Sequence, residues 1–242
     1  MTYDFETMEQ VVNECVSDST IINSRLKPVT VSYTVKSESI NLTKHFTAND
    51  AEFIPHWLES MFEVAKLVVN DKYKFYASMM NVKEDKVKEI VKDINVVTVL
   101  GFNSSRFDSN LFKQYFNYGF WHIDNNSLIG TASSLKQFIL VSKEVSLRFI
   151  DAQAFVAGGT LKQFGIDFGG IDNSAKGVFP YEVINTDNFN EVLMKSEPFA
   201  YEDFYSQLHQ RYLINEEEYN EYVNDAQRFN TRWDYLLAYN DN

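Results

Sequence analysis

Cysteine is nearly missing from this sequence. Cys15 stands alone, which excludes a disulfide scaffold and a Cys-based zinc finger and makes a reducing compartment the default. Histidine is scarce as well. His45, His56, His122 and His209 lie scattered, without the spacing that a His-built zinc site needs. No run approaches the roughly 18 continuous apolar residues of a membrane span. The opening Met-Thr-Tyr-Asp-Phe-Glu is neither a secretory signal nor an Arg-rich transit peptide. Core-forming residues are not lacking. Of the 242 residues, 45% are apolar and 15% aromatic, which excludes a disordered or collagen-like chain and suits one large α/β domain.

Positive charge is also in short supply. Lys and Arg number 22 against 34 Asp and Glu, a net charge of −12. Such a balance argues against a nucleic-acid partner, because phosphates are met by Lys and Arg. The argument weakens where carboxylates hold metal ions that face the phosphate. The acid is unevenly spread. From Glu182 to the end there are 13 acidic and 4 basic residues, a net of −9, which leaves −3 for residues 1–181.

Periodicity gives a coarse outline. Residues 1–6 read as a short strand. Residues 29–36 and 39–46 alternate and are rich in β-branched types, predicting an antiparallel pair. Asn49 and Asp50 are candidate caps for a helix over about 51–69. Residues 83–93 form a charged amphipathic piece, and 94–102 read as a buried strand. A helix is predicted over about 109–117, a strand pair over 135–142 and 145–151, and a short helix from Thr160 after Gly158-Gly159. Segment 182–230 is acidic, aromatic and helical in pieces, and 231–242 is one amphipathic helix. The pattern predicts a mixed sheet with helices on its faces.

Three local patterns carry chemistry. In Asp4-Phe5-Glu6, residues two apart on a strand share a face, so the two carboxylates would stand side by side. Like charges that close call for a neutralising cation, and oxygen donors suit Mg2+ or Mn2+. A solvated strand end is the competing reading. Gly101-Phe102-Asn103-Ser104-Ser105-Arg106-Phe107-Asp108 follows an apolar strand, where ligand sites concentrate in α/β sheets. There the competing reading is a set of helix caps, since Asn103, Ser104, Ser105 and Asp108 all cap well. Tyr239 sits in the closing helix, which alone reads as an amphipathic aromatic face.

Taken together, Asp-Phe-Glu, Asn-Ser-Ser-Arg-Phe-Asp and a terminal helical Tyr resemble the three exonuclease motifs of family B DNA polymerases: D-x-E, N-x-x-x-(F/Y)-D and Y-x-x-x-D. The wording of 101–108 and the segment Lys-Gly-Val-Phe-Pro-Tyr at 176–181 are similar to the protein-primed subgroup of phages, linear mitochondrial plasmids and related mobile elements. The resemblance runs from Asp4 to Asn242. It implies an RNase H-like mixed β-sheet flanked by helices over 1–242, a single exonuclease domain with an acidic, mostly helical segment 182–242. It also implies proofreading 3′–5′ hydrolysis in DNA replication.

Residue by residue, the resemblance implies that Asp4, Glu6 and Asp108 hold two divalent cations, Mg2+ or Mn2+. Asn103 and Phe107 would contact the 3′ end of single-stranded DNA, and Tyr239 would orient the attacking water. Lys176 matches the subgroup's K-x-x-h lysine, which supports catalysis; a solvated loop lysine is the plain alternative. The (S/T)-L-x-x-h motif, which binds the single strand and the priming protein, is matched by Thr160-Leu161-Lys162-Gln163-Phe164. Thr160 is also a plain helix cap. Asp151-Ala152-Gln153-Ala154-Phe155 stands nearer the usual place but lacks the hydroxyl.

The implied partners are a single-stranded 3′ end, primer-template DNA, a priming protein and the polymerase portion of the same chain, with no membrane. Palm, fingers and thumb are not in these residues, so the sequence reads as the front portion of a longer polymerase. Intracellular, mitochondrial and mobile-element settings all fit. The third motif's Asp would fall one residue past Asn242, while Asp241 stands on a different helix side. Weak or absent nuclease activity is therefore expected of these 242 residues. The alternatives are a free-standing exonuclease and a non-catalytic DNA- or protein-binding remnant of the same fold.

Overall fold

A computed structural model describes residues 1–17, 20–156, 163 and 178–240. The chain divides into two compact units. The first comprises Met1–Asp4, Val31–Phe46 and Asp50–Phe164. The second comprises Phe5–Thr30, Thr47–Asn49 and Gly165–Asn242.

The first unit is a mixed α/β assembly. Its elements draw on β1 (Thr2–Ser17), β2 (Thr20–Lys36) and β3 (Asn41–Thr47), then α1 (Phe53–Met80), α2 (Glu84–Ile90), β4 (Val96–Gly101) and α3 (Asp108–Phe112). They continue with β5 (His122–Ile123), β6 (Ile129–Thr131), β7 (Ser134–Val141) and β8 (Ser146–Asp151). The strand order is β3-β2-β1-β4-β8-β7-β5, with β6 on β7. β1 and β8 both run parallel to β4, while β7 is antiparallel to β8. The centre is thus parallel and one flank antiparallel.

Burial alternates along β4, β7 and β8, because successive side chains leave opposite faces of a strand. One buried face is aromatic. Phe138 and Phe149 are cross-strand partners, stacked with centroids 4.8 Å apart. Phe112 packs on the same cluster 5.5 Å from Phe149, and Trp57 lies 5.1 Å from Phe112. α1 contributes Trp57, Leu58, Met61 and Phe62, all fully buried.

Three outlines differ from the sequence expectation. β1 and β2 are far longer than residues 1–6 and 29–36. Their distal parts leave Val11, Val16, Ile21 and Leu26 exposed, and a period of two shows in sequence only where one face is buried. α1 runs to Met80 rather than 69, ending on Asn81 in the left-handed region. Its N-cap is Glu52, without a side-chain cap. Asp50 acts one turn earlier, its Oδ1 accepting the Glu52 N–H at 2.9 Å.

The second unit takes in the outer parts of β1 and β2, and its C-terminal part has only short elements. Its helices are α4 (Phe189–Leu193), α5 (Glu216–Ala226) and α6 (Arg232–Asn240), with a two-residue strand pair, β9 (Tyr205–Ser206) and β10 (Arg211–Tyr212). Aromatic side chains fill its core: Phe179, Phe199, Phe204, Tyr222, Trp233 and Tyr235, with Met8 and Val29. Arg232 pins the irregular stretch before α5. Its guanidinium lies 4.1 Å from the Phe199 ring centroid and donates to the carbonyls of Glu197 at 2.7 Å and Pro198 at 3.1 Å. Asn215 and Glu218 form a reciprocal cap on α5, satisfying N–H groups that a helix start leaves open.

Candidate active site

The exit from β4 is folded tightly. A Cβ on Gly101 would stand 2.7 Å from Ser104 Cβ and 2.8 Å from the Tyr3 ring, so only glycine lets the chain turn back here. Asn103 then takes a left-handed conformation, φ 56°, which Asn tolerates better than most residues. The Ser109 N–H reaches the Ser104 carbonyl at 2.9 Å. The Ser105 N–H donates to Asp151 Oδ2 at 3.1 Å. Asp108 is the first residue of α3, whose cap position is Phe107 with no side-chain cap. The capping reading of Asn103 to Asp108 therefore does not hold; backbone turns and Asp151 shape the loop instead. Ser104, Ser105, Asp108 and Ser109 are buried, and Asn103 and Phe107 are half-buried.

Strand register sets which acids share this end of the sheet. Thr2 pairs with Leu100 and Gly101 with Asp151 in parallel ladders. Asp151 thus ends β8 on one side of β4, Asp4 stands near the start of β1 on the other, level with the carboxyl end of β4, and Asp108 follows β4 itself. Asp4 is half-buried, while Asp108 and Asp151 are each 4% exposed. Tyr3 is buried in the aromatic face, its ring 5.6 Å from Trp57 and 5.6 Å from Phe149. Burial pushes the Tyr3 phenol well above its usual range, and the nearby charges of Asp108 and Asp151 push it further. The phenol therefore stays protonated, with the Ser104 and Ser109 side chains beside it.

The second unit holds another buried acid. Glu6, 6% exposed, accepts a hydrogen bond from the Tyr181 hydroxyl. Tyr181 is hydrogen-bonded in turn to the Tyr239 side chain, with ring centroids 6.1 Å apart. Phe179 packs beside Tyr239 at 6.0 Å. Burial raises the Tyr181 pKa, and the Glu6 charge adds to it. Two residues singled out in sequence, Glu6 and Tyr239, are thus joined through one phenol.

No family model matches this chain, and no curated protein or solved structure does.

Asp4 and Glu6 both lie in β1, two residues apart. Carboxylate oxygens are the donors that Mg2+ and Mn2+ prefer. Among the described residues, no group of three or more His, Cys, Asp or Glu is placed to hold a metal ion. Thr160, Leu161 and Lys176 lie outside the described residues, as does Asp241. No helix among the described residues is long and apolar enough to cross a membrane.

Sequence reasoning passed over three groups. Asp151 was read only as the start of a motif without its hydroxyl, although it ends an alternating strand as an acid, the same signal that marks Asp108. Tyr181 was read only as context for Lys176. Tyr3 carried no signal, because an aromatic residue on an opening strand reads as ordinary core.

Proposed function

We propose that this chain is the 3′–5′ exonuclease portion of a protein-primed family B DNA polymerase, with an RNase H-like sheet. One observation carries the reading. Asp108 is a buried carboxylate at the start of the helix entered from β4, and β1, which brings Asp4, is the parallel neighbour of β4. Acids level with the carboxyl end of a central parallel strand, here β4, stand where open α/β sheets bind ligands. The mixed sheet with its helices supports the fold assignment at the coarse level.

Asp4, Glu6 and Asp108 are the residues that would hold two divalent cations, Mg2+ or Mn2+. Such a pair makes a water nucleophilic and steadies the leaving 3′-oxygen. The chain's own groups prepare the rest. The Tyr181 phenol, kept neutral by burial, holds the Glu6 carboxylate in one orientation. Tyr239 offers a hydroxyl to orient water without adding charge. Asn103 and Phe107 would take the frayed 3′ end by hydrogen bonding and stacking, and Lys176 would stabilise charge on the phosphate. Substrates and partners on this reading are a single-stranded 3′ end, primer-template DNA, the polymerase portion and a priming protein.

The test uses the chain with one aspartate added after Asn242, to complete the third motif, and a 5′-labelled single strand with Mg2+ or Mn2+. The expected result is shortening from the 3′ end that disappears in Asp4→Ala with Glu6→Ala. Tyr239→Phe is expected to trim more slowly while binding DNA as before. Undiminished trimming by the doubly substituted chain would contradict the assignment.

A further inference from the structure

We infer that Asp151 is a positioning residue for Asp108, an inference that rests on the nuclease reading above. Asp151 ends β8 and is 4% exposed. No Lys, Arg or His ion pair reaches it among the described residues. Its two oxygens are instead divided between two backbone donors. Oδ1 accepts the Gln153 N–H at 3.0 Å and caps the turn that follows β8. Oδ2 accepts the Ser105 N–H at 3.1 Å, 46 residues away in sequence.

The second bond is the informative one. A cap alone would be served as well by Ser or Asn. A carboxyl group so deeply buried is costly unless its polar atoms are satisfied, and Asp151, like Asp108, acts on the Tyr3 phenol. What the carboxylate adds over a simple cap is a second acceptor, and that acceptor fastens the loop between β4 and α3. Ser105 precedes Asp108 by three residues in a loop already turned by Gly101 and Asn103. The end of β8 therefore sets where α3 begins, and hence where the Asp108 carboxylate stands.

Asp151→Asn separates this role from bulk stability. The amide has the same shape but one acceptor oxygen, so one of the two N–H groups must face an NH2. Asp151→Ser is a second variant; it keeps a cap for Gln153 and is too short to reach Ser105. Leu147→Ala, a buried residue of the same strand, serves as the destabilised control. With the aspartate-extended chain and a 5′-labelled single strand in Mn2+, both Asp151 variants are expected to lose about 10- to 100-fold in kcat, as outer-shell partners of a site usually do. KM for the strand is expected to stay within about twofold, the mark of a defect confined to the reacting state. Hydrogen exchange at the Ser105 amide is expected to accelerate, and Leu147→Ala to keep its kcat. An unchanged kcat in Asp151→Asn, or an equal loss in Leu147→Ala, would overturn the inference. A parent chain that trims nothing removes the nuclease reading itself and the role of Asp151 with it, whereas an active parent beside an unaffected Asp151→Asn removes the role alone.

Discussion

In the first unit the carboxylate of Asp151 is held by backbone N–H groups, those of Ser105 and Gln153. In the second, Glu6 accepts from the phenol of Tyr181, which is bonded onward to Tyr239. The difference follows from how each unit is built. Where parallel strands end in register, main-chain donors turn outward at fixed places, and an acid at a strand end meets them without help. Where the chain is irregular and packed by aromatic rings, the donors are side chains, and their placement depends on the whole cluster. Backbone donors do not titrate. A phenol does, and it can be deleted by one substitution.

Both cores depend on fully buried rings, so Phe112→Ala in the first unit and Phe204→Ala in the second are each expected to cost about 3–5 kcal/mol, read by urea unfolding. A loss confined to one of them would show that the units are not equally dependent on ring packing. Gly101→Ala should cost about 1–3 kcal/mol, because the new methyl meets Ser104 and the Tyr3 ring and overpacks the turn. A neutral result would mean the β4 exit is looser than its register implies. Tyr181→Phe should cost about 1–3 kcal/mol by removing a hydrogen bond to a buried carboxylate, and it should leave amide exchange at Ser105 untouched.

The smallest effect at neutral pH concerns alkali. Burial raises Tyr222 from 10.0 to about 12. The unfolded phenol releases its proton first, so stability is full below the unfolded value of about 10 and falls as pH climbs towards 12. Tyr222→Phe loses the acceptor for the Phe199 N–H, so it starts slightly less stable. Its unfolding free energy should nevertheless fall less steeply across that window. An equal slope in both chains would place the alkaline sensitivity elsewhere.

Legibility in the sequence tracks the same contrast. β4, β7 and β8 were readable because each buries one face, and Asp108 because it follows such a strand. The long outer parts of β1 and β2 were not, since Val11, Val16, Ile21 and Leu26 are exposed and break the period. Tyr181 could not be found by pattern. It is one of fourteen tyrosines, and only the fold of its unit brings its hydroxyl to Glu6, 175 residues away. Asp151 is legible in the sequence as an acid closing an alternating strand.

The most direct test of the account is Asp108→Ala set beside the parent in the aspartate-extended chain, given a 5′-labelled single strand in Mn2+ and followed as a ladder of shortened products. The parent is expected to give a ladder that grows from the 3′ end and is lost with Asp108→Ala, while both chains unfold in urea as cooperative proteins. The same ladder from the folded Asp108→Ala chain would contradict it.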